Sequence, residues 1–150
     1  MSGGLDSTIV TSYAATKVTR LNALTFNYGQ THVKEIECAT NITSTLNISH
    51  KVIDISFVQN LSWYSALTNP DEFKTPTDRP TKEISENIPI TYVPARNTIF
   101  LSFCLAYAEV KKAGNIFLGV NAVDYSGYPD CRPEFILAMI NIQPHTFKGP

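Results

Sequence analysis

Apolar residues recur along this chain in two alternating rhythms. From Asp6 to about Lys17, Ile9, Val10, Tyr13 and Ala14 fall on one stripe, which predicts a short helix. Leu21 to Phe26 reads as a strand, closed by a turn over Asn27-Tyr28-Gly29-Gln30. Across His32 to Leu46, the positions Val33, Ile36, Ala39, Ile42 and Leu46 follow helical spacing and predict an amphipathic helix. His50 to Ile55, rich in β-branched residues, is a second strand. Helix and strand in alternation predict a mostly parallel sheet with helices packed on it, an α/β fold.

The rhythm then breaks. Asn69 to Pro89 holds Pro70, Pro76, Pro80 and Pro89 among polar residues, which excludes an ordinary helix or central strand. It reads as a surface loop, and its length suits a mobile lid over a ligand. Regular structure returns at Ile90 to Val93. Asn97 is a fitting N-cap for a helix running to Ala113, with Gly114 as its stop. That helix is apolar nearly all round and is expected inside the core. Ile116 to Val120 reads as a buried strand, Asn121 to Pro133 as a polar and aromatic loop, and Glu134 to Ile142 as a short apolar segment.

Composition narrows the class. A length of 150 residues, 43% of them hydrophobic, suits one domain with a real core and excludes disorder of the whole chain. Lys and Arg number 12 against 13 Asp and Glu, so no basic surface is available to grip a nucleic-acid backbone. No apolar run reaches the roughly 18 residues of a membrane span. Cys38, Cys104 and Cys131 lie far apart, and the odd count predicts reduced thiols and a cytoplasmic location. His32 and His50 have no Cys, Asp or Glu at ligand spacing and read as surface or capping residues.

The chemistry concentrates where the first helix begins. Ser2-Gly3-Gly4-Leu5-Asp6-Ser7 runs straight into it. Two glycines let backbone N–H groups approach an anion, and the helix N-terminus adds unpaired donors and partial positive charge. Ser2, Ser7 and Thr8 bring hydroxyls, and Asp6 can hold the loop or a magnesium ion. Neither the Walker A spacing nor G-x-G-x-x-G is present. The loop is a phosphate cradle of another kind.

The pattern S-G-G-x-D-S resembles the PP-loop of the adenine-nucleotide α-hydrolase superfamily, which binds ATP and transfers AMP to a substrate. A closer resemblance lies further along, in Tyr92-Val93-Pro94-Ala95-Arg96-Asn97-Thr98 and in Asp124-Tyr125-Ser126-Gly127-Tyr128-Pro129-Asp130-Cys131-Arg132-Pro133-Glu134-Phe135. Together with Phe26-Asn27-Tyr28-Gly29-Gln30 and Glu35-Ile36-Glu37-Cys38-Ala39, these blocks look like the 7-cyano-7-deazaguanine synthase family over residues 2 to 140.

That resemblance implies a three-layer α/β/α fold and an ATP-dependent carbon–nitrogen ligase using 7-carboxy-7-deazaguanine and ammonia. It implies ATP binding by Ser2, Gly3, Gly4, Leu5, Asp6, Ser7 and Thr8, with Asp6 and Ser7 as catalytic candidates. Attack of an ionised carboxylate on the α-phosphorus needs no general base, only positioning and charge neutralisation. Arg96 or Arg132 can pair with the substrate carboxylate. Asp124, Asp130 and Glu134 are candidate acceptors for the guanine-like edge, and Tyr125 and Tyr128 can stack on the base. For Arg96 the plainer alternative is a surface ion pair at a helix entry; for the Asp124 to Arg132 loop it is a structural turn. Other adenylating chemistry on the same loop, or nucleotide binding without turnover, are the competing functions.

Two departures set further expectations. The family implies a hydrophobic strand ahead of the loop and a four-cysteine zinc site further on, and a homodimer. Here Met1 alone precedes the loop, no such cysteine cluster exists, and Asn141 to Pro150 leaves the family pattern. Residues 1–150 are therefore expected to form a single, partial domain of low stability.

Overall fold

A computed structural model of the chain describes residues 1–30, 34–61, 65, 91–120 and 128–142. It divides into two compact units, Met1–Trp63 with Phe117–Val120, and Tyr64–Ile116 with Asn121–Pro150. The expected lid at Asn69 to Pro89, together with His32, Asp124 and Tyr125, lies outside the described residues.

The first unit runs α1 (Leu5–Ala15), β1 (Asn22–Asn27), α2 (Lys34–Thr45) and β2 (Ser49–Asp54). β1 and β2 pair in parallel, with Asn22 opposite Ser49 and Asn27 opposite Asp54. The unit is mixed α/β with a two-stranded parallel sheet, and α2 packs on both strands as their crossover. In β1, Ala23, Leu24, Thr25 and Phe26 are all buried, as in a strand covered on both faces. β2 instead exposes Lys51 and Val52.

The two edges of β1 are used differently. The Asn27 carbonyl accepts the Ile55 N–H at 2.8 Å on the β2 side. Carbonyls alternate sides along a strand, so the Leu24 carbonyl points the other way. There it accepts the α-amine of Met1, while Thr25 Oγ1 donates to the Met1 carbonyl at 2.7 Å. Met1 thus lies along β1 and leads directly into the loop before α1. With the Thr25 proton given to Met1, His50 Nε2, 2.8 Å from Thr25 Oγ1, is the donor of that pair. Burial first, and the Met1 ammonium second, hold the His50 pKa below its ordinary value.

Several expectations change. On α1, Ala14 is buried, but Ile9 and Tyr13 are each 57% exposed. The inward row is Ser7, Val10, Thr11 and Ala14, so Val10 and Ala14 of the expected stripe face in; Thr11 Oγ1 donates to the Ser7 carbonyl at 2.7 Å and lies 3.5 Å from Met1 Sδ. On α2, Ala39 and Thr43 are the buried pair, and the Thr43 hydroxyl is satisfied by the Ala39 carbonyl at 2.8 Å. Ile116 to Val120 is neither a strand nor buried: no ladder is formed there among the described residues. A 3-10 turn at Ser56–Leu61, unsignalled by periodicity, buries Val58. Its Gln59 Nε2 donates to the carbonyl of Gly29, a left-handed turn residue at φ 80°.

The second unit contains α3 (Arg96–Lys111), a 3-10 turn at Pro129–Cys131, and α4 (Pro133–Ile142). Thr91 to Val93 is irregular rather than a strand. Asn97 is not the N-cap of α3; that position is Ala95, in the left-handed region at φ 54°. Nor does Gly114 stop the helix. Lys112 turns left-handed at φ 53°, and Ala113 N–H reaches back to the Ala108 carbonyl at 2.9 Å, closing the end. Only Leu101 and Ala108 of α3 are buried, so it is not enclosed on all sides. Its described packing is at its first turns, against Pro129–Cys131. No described helix is long and apolar enough to cross a membrane.

Candidate functional site

Gly3 determines how the loop sits. It has φ 81°, and a Cβ there would stand 2.5 Å from the Glu35 carbonyl oxygen and 2.8 Å from the Ala39 nitrogen. Glycine therefore meets two demands at once, a left-handed backbone and contact with the α2 backbone. On the other side, a Cβ on Gly119 would lie 3.3 Å from the Asp6 carbonyl oxygen, so Phe117–Val120 runs close past the first turn of α1. The loop is held between two backbones and remains open outward: Ser2, Gly4, Leu5 and Asp6 are all exposed.

The N-cap of α1 is Gly4, and no side chain caps the helix. Its first-turn donors consequently face the loop. The hydroxyls are engaged within the loop itself. Ser2 Oγ donates to Ser7 Oγ at 3.2 Å, and Ser7 Oγ and Thr8 Oγ1 both donate to the Gly4 carbonyl, at 3.0 and 2.8 Å. Ser2 Oγ also accepts the Gly4 N–H at 3.3 Å. Backbone N–H groups and these hydroxyls are the donors available to an anion at this helix start. The predicted cradle residues Ser2 to Thr8 are thus brought together in one loop.

Magnesium that travels with a nucleotide is bound largely by phosphates and water, with one or two carboxylates. Asp6, exposed in the first turn of α1, fits that limited role. Zinc is different. Cys38, Cys104 and Cys131 are free thiols, and no group of three His, Cys, Asp or Glu side chains converges among the described residues. These residues do not fit a structural zinc ion. Burial raises the Cys104 thiol pKa, which disfavours its thiolate form.

The second unit holds the remaining described candidates. Asp130, expected as a substrate contact, is only 4% exposed. Its Oδ2 accepts the Asn97 N–H at 2.9 Å, and its carbonyl accepts Asn97 Nδ2 at 3.1 Å. The same Asn97 Nδ2 lies 3.3 Å from Cys131 Sγ. Tyr128 Oη is 2.7 Å from Thr91 Oγ1, and its ring stands 5.7 Å from that of Tyr92. Arg96 is half-buried at the first position of α3, whereas Arg132 and Glu134 are exposed. Asn97 and Thr91, not chosen as candidate site residues from the sequence, are the partners of Asp130 and Tyr128 here; Asn97 lies within the Tyr92–Thr98 block and Thr91 immediately precedes it.

Comparison with known proteins follows this geometry. The family described as "Queuosine biosynthesis protein QueC" matches residues 1–148. The chain belongs to the QueC family. Among its relatives, the 7-cyano-7-deazaguanine synthase of Trichodesmium erythraeum is 49% identical over 140 residues, covering 93% of this chain and 62% of that protein. The enzyme of the same name from Syntrophus aciditrophicus is 51% identical over 138 residues, covering 92% of this chain and 58% of its own. That of Thermoplasma volcanium is 47% identical over 141 residues, covering 94% and 56%. The chain spans about three fifths of the length of these QueC relatives.

Proposed function

We propose that this chain carries the ATP-handling and substrate-recognising part of a 7-cyano-7-deazaguanine synthase. The observation that carries the reading is the loop Ser2 to Thr8, seated by Gly3 on α2 and opening, uncapped by any side chain, into the start of α1. About 50% identity to relatives named for that activity, across the same residues, supports this choice of substrate. The reading carries with it the three-layer α/β/α arrangement, of which the β1–β2 pair is one part, and a homodimer in the cytoplasm.

The chemistry asks little proton transfer of the protein. The 7-carboxylate of the substrate is ionised at neutral pH and attacks the α-phosphorus, while the bond to the β-phosphate breaks and pyrophosphate leaves. Backbone N–H groups of the loop and the α1 terminus stabilise the negative charge on the phosphates, with Ser2, Ser7 and Thr8 adding hydroxyl donors. Magnesium, when bound, neutralises phosphate charge, with Asp6 as its protein ligand. Arg96 or Arg132 pairs with the substrate carboxylate, and Asp124 accepts from the guanine-like edge while Tyr125 stacks on it. Ammonia displaces AMP and loses a proton to give the amide. A second ATP adenylates the amide oxygen, releasing pyrophosphate and one N–H proton, and departure of AMP with loss of the remaining N–H proton leaves the nitrile.

Release of AMP and pyrophosphate from ATP in the presence of 7-carboxy-7-deazaguanine and ammonia tests this directly. We expect release that depends on the deazaguanine. ATP binding without such release supports the non-catalytic alternative instead, and release stimulated only by tRNA or another carboxylate points to different adenylating chemistry.

A further inference from the structure

Among the described candidate carboxylates, Asp130 is the one that the fold has already committed. A helix begins with N–H groups that lack intrahelical partners, and an N-cap side chain normally satisfies one of them. The N-cap of α3 is Ala95, which has no such side chain. Its neighbours are provided for separately: Ala95 N–H goes to Tyr92 Oη at 2.9 Å, and Arg96 N–H to the Val93 carbonyl at 3.1 Å. The Asn97 N–H goes to Asp130, which lies 33 residues away in sequence. The exchange is reciprocal, since Asn97 Nδ2 returns a bond to the Asp130 carbonyl. A carboxylate acceptor on a part-buried backbone donor is the stronger kind of hydrogen bond, and it complements the helix dipole.

We propose that Asp130 and Asn97 form a clasp that fixes the turn before Arg132 onto the first turn of α3, making Asp130 a positioning residue rather than a substrate contact. Arg96 directly precedes one half of the clasp and Arg132 follows the other, so one joint sets where both guanidinium-bearing residues start. The Thr91–Tyr128 hydrogen bond and the Tyr92–Tyr128 ring contact close the same joint from its other side. This assignment rests on the function proposed above for its consequence, but not for its existence.

The two roles of Asp130 make opposite demands on Asp130→Asn. As a cap, an asparagine still offers a carbonyl oxygen to the Asn97 N–H. As a carboxylate acceptor for two ring donors, it presents an amide N–H where an acceptor is needed. The experiment measures, in the full chain, amide hydrogen exchange at Asn97 and the dissociation constant of 7-carboxy-7-deazaguanine. We expect Asp130→Ala to speed Asn97 exchange by about tenfold or more and to weaken binding. Asp130→Asn should hold both within about threefold of the parent, given the small differences among good caps. Should Asp130→Ala fail to fold, Asp130→Asn decides alone. Normal Asn97 protection with binding lost in Asp130→Asn overturns the positioning role, as does unchanged Asn97 exchange in Asp130→Ala. If the parent chain binds no 7-carboxy-7-deazaguanine, the proposed function fails, and the exchange measurements still judge the clasp.

Discussion

The starts of α1 and α3 pose the same physical problem and answer it in opposite ways. Neither has a capping side chain at its N-cap, and each is approached through a left-handed residue, Gly3 at φ 81° and Ala95 at φ 54°. At α1 Ser2 and Gly4 are exposed, and the Ser2, Ser7 and Thr8 hydroxyls bond one another, the Gly4 carbonyl and the Ser2 and Gly4 N–H groups. At α3 a buried carboxylate from elsewhere in the chain fills the gap. An open helix start keeps its donors for an anionic ligand; a filled one makes a fixed joint. The first suits nucleotide capture, and the second suits holding side chains at set positions.

The comparison breaks most severely at Gly3. Replacing it with alanine combines left-handed strain, on the order of 1–3 kcal/mol, with a Cβ forced against the α2 backbone. We expect Gly3→Ala to lower stability by roughly 3 kcal/mol and to abolish ATP binding in whatever fraction remains folded. Urea denaturation and calorimetric titration with Mg-ATP measure the two effects. An unshifted denaturation midpoint would show that the loop is not seated on α2 as described.

Ser7→Ala sharpens the comparison without disturbing the seat. Ser7 Oγ links Ser2 to the Gly4 carbonyl and is not buried. Loss of one hydrogen-bonding group toward a charged phosphate costs about 1.5 kcal/mol, or roughly tenfold in affinity. Stability should change by less than about 0.5 kcal/mol, as for surface sites generally. If ATP affinity is unaltered, the loop acts through its backbone alone.

How much of this could be read from the sequence depends on how local the cause is. β1 and β2 were legible to within one residue at each end, β1 from an apolar run closed by a turn and β2 from its β-branched residues, and their parallel pairing follows from the helical pattern between them. The loop Ser2 to Thr8 was legible for the same reason: consecutive glycines and hydroxyls act on their own neighbours. The inward face of α1 was not. Ile9 and Tyr13 obey helical spacing equally well whichever side is covered, and the covered side is the one on which Thr11 lies near Met1. Asn97 is the most instructive case. Its type favours an N-cap, yet Ala95 takes that place because Asp130 supplies the missing acceptor from 33 residues away. A cap borrowed across the fold leaves no periodic trace.

The smallest effect tests whether the closed joint carries its own strain. A non-glycine residue in the left-handed region costs on the order of 1 kcal/mol, which glycine at the same place avoids. Ala95 is exposed, so its methyl group contributes little packing to offset that cost. Glycine also widens the unfolded ensemble, which returns part of the gain. Ala95→Gly should therefore raise stability by about 0.5 kcal/mol, the reverse sign of Gly3→Ala. Asn97 amide exchange should stay slow, because the bond to Asp130 uses the Asn97 backbone and not the Ala95 side chain. A destabilised variant with fast exchange at Asn97 would mean that the left-handed turn at Ala95 relies on its Cβ, and that the clasp is not what holds the start of α3.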